Sequence, residues 1–526
     1  MRGLYQRAAA IFGILIVFTS SSCSFFTIPT LKGARKTSPL SISTRGEAVP
    51  RGLIDEYRFM SNYTGSNLLF TNDTLQQAFA RDVVAGELRA GKVEFFVGSG
   101  VGREVTGMNW ELLVNKGADQ VLESGADKVL NGSEQLELLR QCRSAFDPVT
   151  GTKEAKNSIM AQFDDMNNWV GVVKAYANAV DICLYEGHKA GIACPQSYNF
   201  FLAEFFEQCH KKESCPTKVS RTIAEAIVAQ LKQGRDRTYA VYTTNYNRAI
   251  NFALLELGVV IEEVYPIRWK ANEHTRDSTT YGDDVELMRS VLTPSMPQIG
   301  RVVVFHLHGI AKEAAEFSEP LKPGPSPRSI WAHQKHYSLG KAASLFHEGI
   351  PASWVKPLAP LHTKNIMLDI EHRSTPVDAS SIAEELYAAT AEGIVITDAQ
   401  YNCREHVQCL KGTFQVALQD IDRTILMVGS SMGDTFFEKF LYSEQFSVGL
   451  TRDEVEEPVI YNKGISVQIQ PGRKAPKKFL DGDSNTASDV DTRIKSHLLF
   501  VLGLDANGET DYDAPRAFVE RCTHGI

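Results

Sequence analysis

With 526 residues, 43% hydrophobic and 22% charged, the chain has the balance of a soluble globular protein and the length for two to three domains, or one large domain with insertions. Its 55 basic against 63 acidic side chains leave a formal net charge of −8, and no basic run exceeds two residues. That argues against a nucleic-acid partner, because affinity for a phosphate backbone rests on concentrated Lys and Arg.

Arg2 and Arg7 precede an apolar stretch over residues 8–18, followed by Ser20-Ser21-Ser22-Cys23. A basic start, a short apolar run and a small-residue site have the form of a signal peptide. The run is short for a membrane span, which needs about 20 apolar residues. Three readings stay open: an export signal, a membrane anchor through residues 8–18, or an upstream extension outside the working protein. Residues 24–55 are rich in Ser, Thr, Pro and Arg and read as a linker.

From Thr74 to Ala90, Leu75, Phe79, Val83, Val84 and Leu88 fall near one helical face. A series of short apolar runs then appears: Val93–Val97, Tyr239–Tyr242, Val302–Phe305, Ile394–Ile396 and Ile425–Val428. They are continuous rather than alternating, as expected of strands buried on both faces of a parallel sheet. Helical patterns follow several of them, the order of βαβ units. The expected fold is therefore α/β, a Rossmann-like parallel sheet with helices on both faces and a large helical insertion. The boundaries are a leader or anchor with linker over 1–55, a main domain over 56–450, and a C-terminal α+β extension over 451–526. Within the main domain, 118–235 read as the helical insertion and 310–391, with Pro320, Pro323, Pro325 and Pro327, as a second one. Leu136, Leu138, Leu139, Trp169, Val172, Val173, Phe201, Phe205 and Phe206 are the expected core of the helical part. Ile465–Ile469 alternates as a further strand.

In an open α/β sheet, ligands bind beyond the carboxyl ends of the strands. Those ends carry Gly98-Ser99-Gly100-Val101-Gly102, Thr243-Thr244-Asn245-Tyr246-Asn247, His306-Leu307-His308-Gly309, Thr397-Asp398 and Gly429-Ser430-Ser431-Met432-Gly433-Asp434. Each has a plain explanation when taken singly. Gly-x-Gly makes a tight turn, Asn245 and Asn247 cap a helix over Arg248–Leu257, and His308 fills a turn. The spacing G-x-G-x-G also differs from the G-x-G-x-x-G of dinucleotide dehydrogenases. Nine cysteines form no C-x-x-C pair, so no zinc site is expected.

Taken together and in order, "GSGVG", "TTNYN", "HLHG" and "GSSMGD" resemble the sirtuin superfamily. The nearer resemblance is to bacterial sirtuin-like NAD-hydrolysing proteins of anti-phage defence. Gly98, Ser99, Gly100, Val101, Gly107, Trp110, Leu112 and Leu113 match the first motif, with Gly102 where Ser is usual. Thr243, Thr244, Asn245 and Tyr246 match the second, with Asn247 where the family has Asp. Leu307, His308 and Gly309 match the third; "IVITDAQY" and "VGSSMGD" resemble the later segments. The likeness covers about Thr74 to Tyr442, and the missing cysteine pairs point away from the zinc-bearing deacylases.

The resemblance implies an NAD-binding domain over 56–450 and a hydrolase that takes NAD as substrate, cleaving the nicotinamide–ribose bond to give nicotinamide and ADP-ribose. It implies a defence effector, a homo-oligomer, and an active domain facing the cytoplasm. His308 and Asn245 are the expected catalytic residues. Gly98, Ser99, Gly100, Val101, Thr244, Asn247, Gly429 and Ser431 are the expected NAD-binding ones, with no metal ligand. The competing readings are a non-catalytic NAD or ADP-ribose sensor, and an NAD-dependent deacylase or ADP-ribosyltransferase.

Overall fold

The computed structural model describes residues 84–161, 169–210, 216–233, 239–268, 285–318, 333–338, 379–397, 400, 414, 424–430, 465–471, 498–503 and 513–524. The chain divides into 1–45 and 46–526, and all described residues belong to the second unit. The signal-like segment, Asp398, Tyr401, Ser431 and Asp434 lie outside the described residues. Among the described residues no helix is long and apolar enough to cross a membrane.

The strands are β1 (Val93–Val97), β2 (Tyr239–Thr243), β3 (Val259–Arg268), β4 (Val285–Thr293), β5 (Gly300–His306), β6 (His333–Ser338), β7 (Thr424–Val428), β8 (Ile465–Pro471) and β9 (Leu498–Gly503). Described helices are α1 (Ser99–Thr106), α2 (Trp110–Ser124), α3 (Glu134–Phe146), α4 (Lys153–Met160), α5 (Trp169–Lys189), α6 (Tyr198–His210), α7 (Lys218–Leu231), α8 (Ala249–Glu256), α9 (Ala314–Ser318), α10 (Ala379–Glu392) and α11 (Ala514–Thr523). The strands form one mixed, mostly parallel sheet in the order β6-β4-β3-β5-β2-β1-β7-β8-β9. Seven neighbours from β3 to β9 run parallel, and β4 and β6 add an antiparallel edge. The chain is thus α/β.

Alternation along the strands decides what each face packs against. Val93, Phe95 and Val97 of β1 join Val241, Ile261, Val302, Val304 and Leu426 in one core, covered by Ile223 and Ile227 of α7, Leu254 of α8 and Phe518 of α11. Fully burying each such side chain stabilises by about 1.5–3 kcal/mol. On the opposite face Tyr242 stacks on Phe305, with ring centroids 5.3 Å apart, and Phe414 sits 5.0 Å from both Phe96 and Tyr242.

Helices α2 to α6 lie in sequence between β1 and β2 and build a second core. Asn109 caps α2 by accepting from the Leu112 amide at 3.0 Å, and Ser133 caps α3 from Leu136 at 3.2 Å. Leu136, Leu139, Val172, Val173 and Phe206 are buried there, while Leu138, Phe201, Phe205 and Trp110 pack against it partly exposed. This core also holds Tyr246, Ala311, Ile394 and Ile396, which anchors it to the loops that follow β2 and β5.

Two sequence expectations change. Ile394–Ile396 is not a strand. It is a buried segment outside regular secondary structure whose backbone finds partners without a neighbouring strand. Val395 donates to the His308 carbonyl (2.9 Å), Asn199 and Tyr246 donate to the Ile394 and Val395 carbonyls (2.9 and 2.8 Å), and Ile396 donates to Gln400 Oε1 (2.7 Å). Conversely, β3 and β4 are central to one half of the sheet although Glu262, Glu263 and Pro266 interrupt the apolar pattern of β3. Within the segment read as a second insertion, β6 pairs with β4, and within the C-terminal segment β8 and β9 continue the sheet beyond β7.

The first residue of β1 is tied to α7 by one side chain. Gln230, fully buried, accepts from the Val93 amide at 3.1 Å and donates to its carbonyl at 3.2 Å. Gln230→Leu strands both backbone groups, at about 1–3 kcal/mol each. The urea midpoint of the variant should fall by an amount equivalent to about 2–6 kcal/mol with an unchanged slope, and an unshifted midpoint would show that this tie is dispensable.

Candidate functional site

Register places the candidate residues at one edge of the sheet. Val428, Val97, Thr243 and His306 are mutual partners across β7, β1, β2 and β5. The residues that leave those four strands, Gly429, Gly98, Thr244 and Leu307, therefore start their loops side by side. The chain runs from β1 through β2, β3 and β5 on one side, then crosses to β7, β8 and β9 on the other. The space beyond β1 and β7 is thus the reversal point of the strand order, where open α/β sheets bind ligands.

At this point the two glycine-bearing loops touch through their backbones. The Gly98 amide donates to the Val428 carbonyl (2.8 Å) and the Gly100 amide to the Gly429 carbonyl (2.7 Å). A Cβ at Gly98 would lie 2.6 Å from Gly429 O and 2.7 Å from the Ser430 Cα, so only glycine allows the approach. Gly429 holds φ +70°, a left-handed conformation. The Val101 amide turns back to the Gly98 carbonyl at 3.1 Å. Ser99 opens α1 and is exposed. With no acidic residue in its first turn, α1 directs its positive dipole end toward Ser99 and Gly100.

Asn245 joins this loop to the next strand. Its Nδ2 donates to the Gly98 carbonyl at 2.9 Å, and its amide donates to Thr243 Oγ1 at 3.0 Å. Thr243 Oγ1 in turn donates to the Val97 carbonyl at 2.8 Å. Thr244 is half-buried, with its amide 3.4 Å from that same carbonyl. Asn247 is buried, and its Oδ1 accepts from the Ala249 amide at 3.2 Å in the first turn of α8. Arg248, not Asn247, is the N-cap of α8, and the bond to Ala249 coexists with a place for Asn247 beside Asn245. Gly102 explains how: a Cβ there would sit 3.0 Å from both Asn245 Oδ1 and Asn247 Nδ2. The two positions that depart from the sirtuin-like pattern, 102 and 247, therefore face each other.

His308 is buried in the loop after β5, on the strand next to β2. Its carbonyl receives the Val395 amide, and Gly309 beyond it holds φ +89° with no room for a Cβ against Ile394. Ser430 is buried beside Gly98. Among the described residues no group of three His, Cys, Asp or Glu side chains stands ready to hold a metal ion.

The most highly charged feature of this region was invisible in the motifs. Glu262 and Glu263 are adjacent on β3 and so point to opposite faces. Glu262 pairs with Arg289 and Arg301. Glu263, fully buried, accepts four donors: Arg248 Nε (2.8 Å) and Asn251 Nδ2 (2.7 Å) on Oε1, Lys312 Nζ (2.8 Å) and Ser290 Oγ (2.8 Å) on Oε2. Arg248 also binds Glu316 at 2.6 Å. Burial alone would raise the Glu263 carboxyl, but Arg248 and Lys312 outweigh it and hold the group well below the usual carboxylate range. His306 packs against this cluster and is pushed down to about 4, chiefly by burial. The signal that could have found the cluster is an acidic pair inside an apolar run, which demands buried cations.

Comparison with protein-family models and with curated proteins finds no match for this chain.

Two expectations follow from this geometry. Gly98→Ala must separate the Gly98 and Gly429 loops, and should cost about 1–3 kcal/mol in urea denaturation. An undiminished midpoint would show that the loops need not touch. The second concerns pH. His306 and Glu263 both have folded proton affinities below those of the unfolded chain, so the unfolded chain takes up protons first on acidification. Stability should fall from about pH 6.5 to about pH 4 through His306, and further below that through Glu263. Thermal melts across this range check it, and His306→Asn should flatten the upper part of the decline.

Proposed function

We propose that this chain is an NAD glycohydrolase with a sirtuin-like, Rossmann-like domain, in which the helices between β1 and β2 form an insertion. The observation that carries the reading is the shared edge of β7, β1, β2 and β5. It gathers the Gly98–Val101 turn, Asn245, the His308 loop and Gly429 at the reversal point of the sheet.

Cleavage of the nicotinamide–ribose bond builds positive charge on the ribose while a neutral group departs, so the protein must mainly orient the sugar and hold the diphosphate. With the Gly98 amide bonded to β7 and the Gly100 amide to Gly429 just beyond it, the diphosphate falls to the Ser99 amide and hydroxyl and to the N-terminal end of α1. Val101 and Gly429 shape the turn beneath it. Thr244 flanks Asn245 at the rim. Asn245 keeps Oδ1 for a ribose hydroxyl or the attacking water, since its Nδ2 is held by Gly98. His308 serves as general base toward that hydroxyl or water. Asn247 would offer Nδ2, beside Gly102, to the nicotinamide carboxamide, its Oδ1 already accepting from Ala249. Ser431 would extend the adenosine side of the pocket beyond Gly429. In a cell such an enzyme would deplete NAD, as a defence effector does, with oligomer formation and membrane attachment through residues 8–18 as parts of the same proposal.

Purified chain incubated with NAD should release nicotinamide and ADP-ribose. His308→Ala and Asn245→Ala should each reduce that release by about 10²-fold or more while retaining the circular dichroism of the parent. Undiminished turnover in either variant removes that residue from the mechanism. Binding of NAD without nicotinamide release would favour a sensor, and formation of acyl-ADP-ribose from an added acyl-peptide would favour a deacylase.

A further inference from the structure

We propose that His306 is a positioning residue for Asn245, held in a single tautomer by the buried Glu263 cluster so that its Nδ1–H faces the Asn245 carbonyl. The proposal rests on Asn245 belonging to the NAD site, but the tautomer itself does not. His306 ends β5, fully buried, in the row that also contains Val97 and Thr243. Its Nε2 lies 3.1 Å from Asn251 Nδ2, and its Nδ1 lies 3.4 Å from the Asn245 carbonyl oxygen.

The tautomer follows from the charge on Glu263. Asn251 sits 2.7 Å from Glu263 Oε1. A carboxylate held ionised by Arg248 and Lys312 only accepts, so the Asn251 atom facing it must be the NH2. The reversed amide would set two oxygens against each other at that distance. The second hydrogen of the same NH2 then points to His306 Nε2, which must carry a lone pair. A neutral imidazole with a bare Nε2 bears its proton on Nδ1, toward Asn245. Asn251 Oδ1 has no partner among the described residues, so the amide keeps this orientation despite an unsatisfied carbonyl.

The consequence for Asn245 is a three-point tether. Thr243 holds its amide, Gly98 its Nδ2 and His306 its carbonyl. Only Oδ1 is left, beside Gly102. With the opposite tautomer, a lone pair on Nδ1 would face the carbonyl and push the loop away.

The test uses the full chain labelled with ¹⁵N-histidine, with the His306 signal identified by its loss in His306→Asn. Long-range ¹H–¹⁵N spectra should show Nδ1 protonated and Nε2 bare; an Nε2–H imidazole overturns the proposal whatever the chain does to NAD. Asn at 306 can return an N–H near the place of Nδ1, whereas Gln reaches toward the place of Nε2. His306→Asn should therefore keep parental amide exchange over residues 243–247 and kcat within about threefold for nicotinamide release, while His306→Gln should speed that exchange and lower kcat about tenfold with KM little changed. Equal behaviour of the two variants overturns the positioning role. Where His306→Gln does not fold, His306→Asn decides alone, since a loss of protection and of kcat there contradicts the proposal. A parent chain that releases no nicotinamide refutes the NAD reading, and the tautomer and exchange measurements then still settle whether His306 holds Asn245.

Discussion

Glu263 is a carboxylate removed from water, and its four acceptor positions are filled by four donors from three different places in the chain. Taking such a charge out of solvent costs several kcal/mol, and the attraction of Arg248 and Lys312 offsets that only with close geometry and no lone pair left over. The requirement fixes the start of α8, the middle of β4, and the loop from β5 into α9 against β3. Those elements flank the edge where Asn245 and His308 emerge. A purely apolar contact would tolerate sliding; four directed bonds on one carboxylate do not.

The second constraint is steric. The loops after β1 and β7 meet backbone to backbone at Gly98 and Gly429, closer than any side chain permits. Their contact leaves Ser99 as the exposed start of α1 and turns the Gly98 carbonyl toward Asn245. One side of the candidate site is therefore built from close-packed main chain, and the other from a loop oriented by a buried polar network. Rigid surroundings of this kind suit the proposed cleavage, in which orientation of the sugar would supply most of the effect.

Gly102 and Asn247, the two residues that differ from the resembled motifs, fit each other in the fold. Either change alone reads as a weakened motif. In the fold they are neighbours, with Gly102 leaving room for two carboxamides that lie against it. Asn245 keeps its bond to the Gly98 carbonyl, while Asn247 accepts the Ala249 amide with Oδ1 and turns Nδ2 toward Gly102. Shape complementarity at this point belongs to the three residues together.

Continuous apolar runs identify β1, β2, β5 and β7 because strands covered on both faces have no polar side to display. The Gly, Asn and His that follow them are legible for the same reason, since polarity returns abruptly at each strand end. Sequence alone therefore determined an α/β chain with its polar loops at strand ends. It could not order the strands, and the shared edge of β7, β1, β2 and β5 exists only through pairing between residues up to about 330 positions apart. It read Ile394–Ile396 as a strand because burial, which sequence reports, does not require a neighbouring strand when side chains and the His308 carbonyl satisfy the backbone. It passed over β3 because Glu262 and Glu263 look like solvent-facing residues until Arg248, Arg289, Arg301 and Lys312 are brought to them. Charge neutralisation inside a protein is a property of the assembled fold, and so are the burial and tautomer of His306 that depend on it.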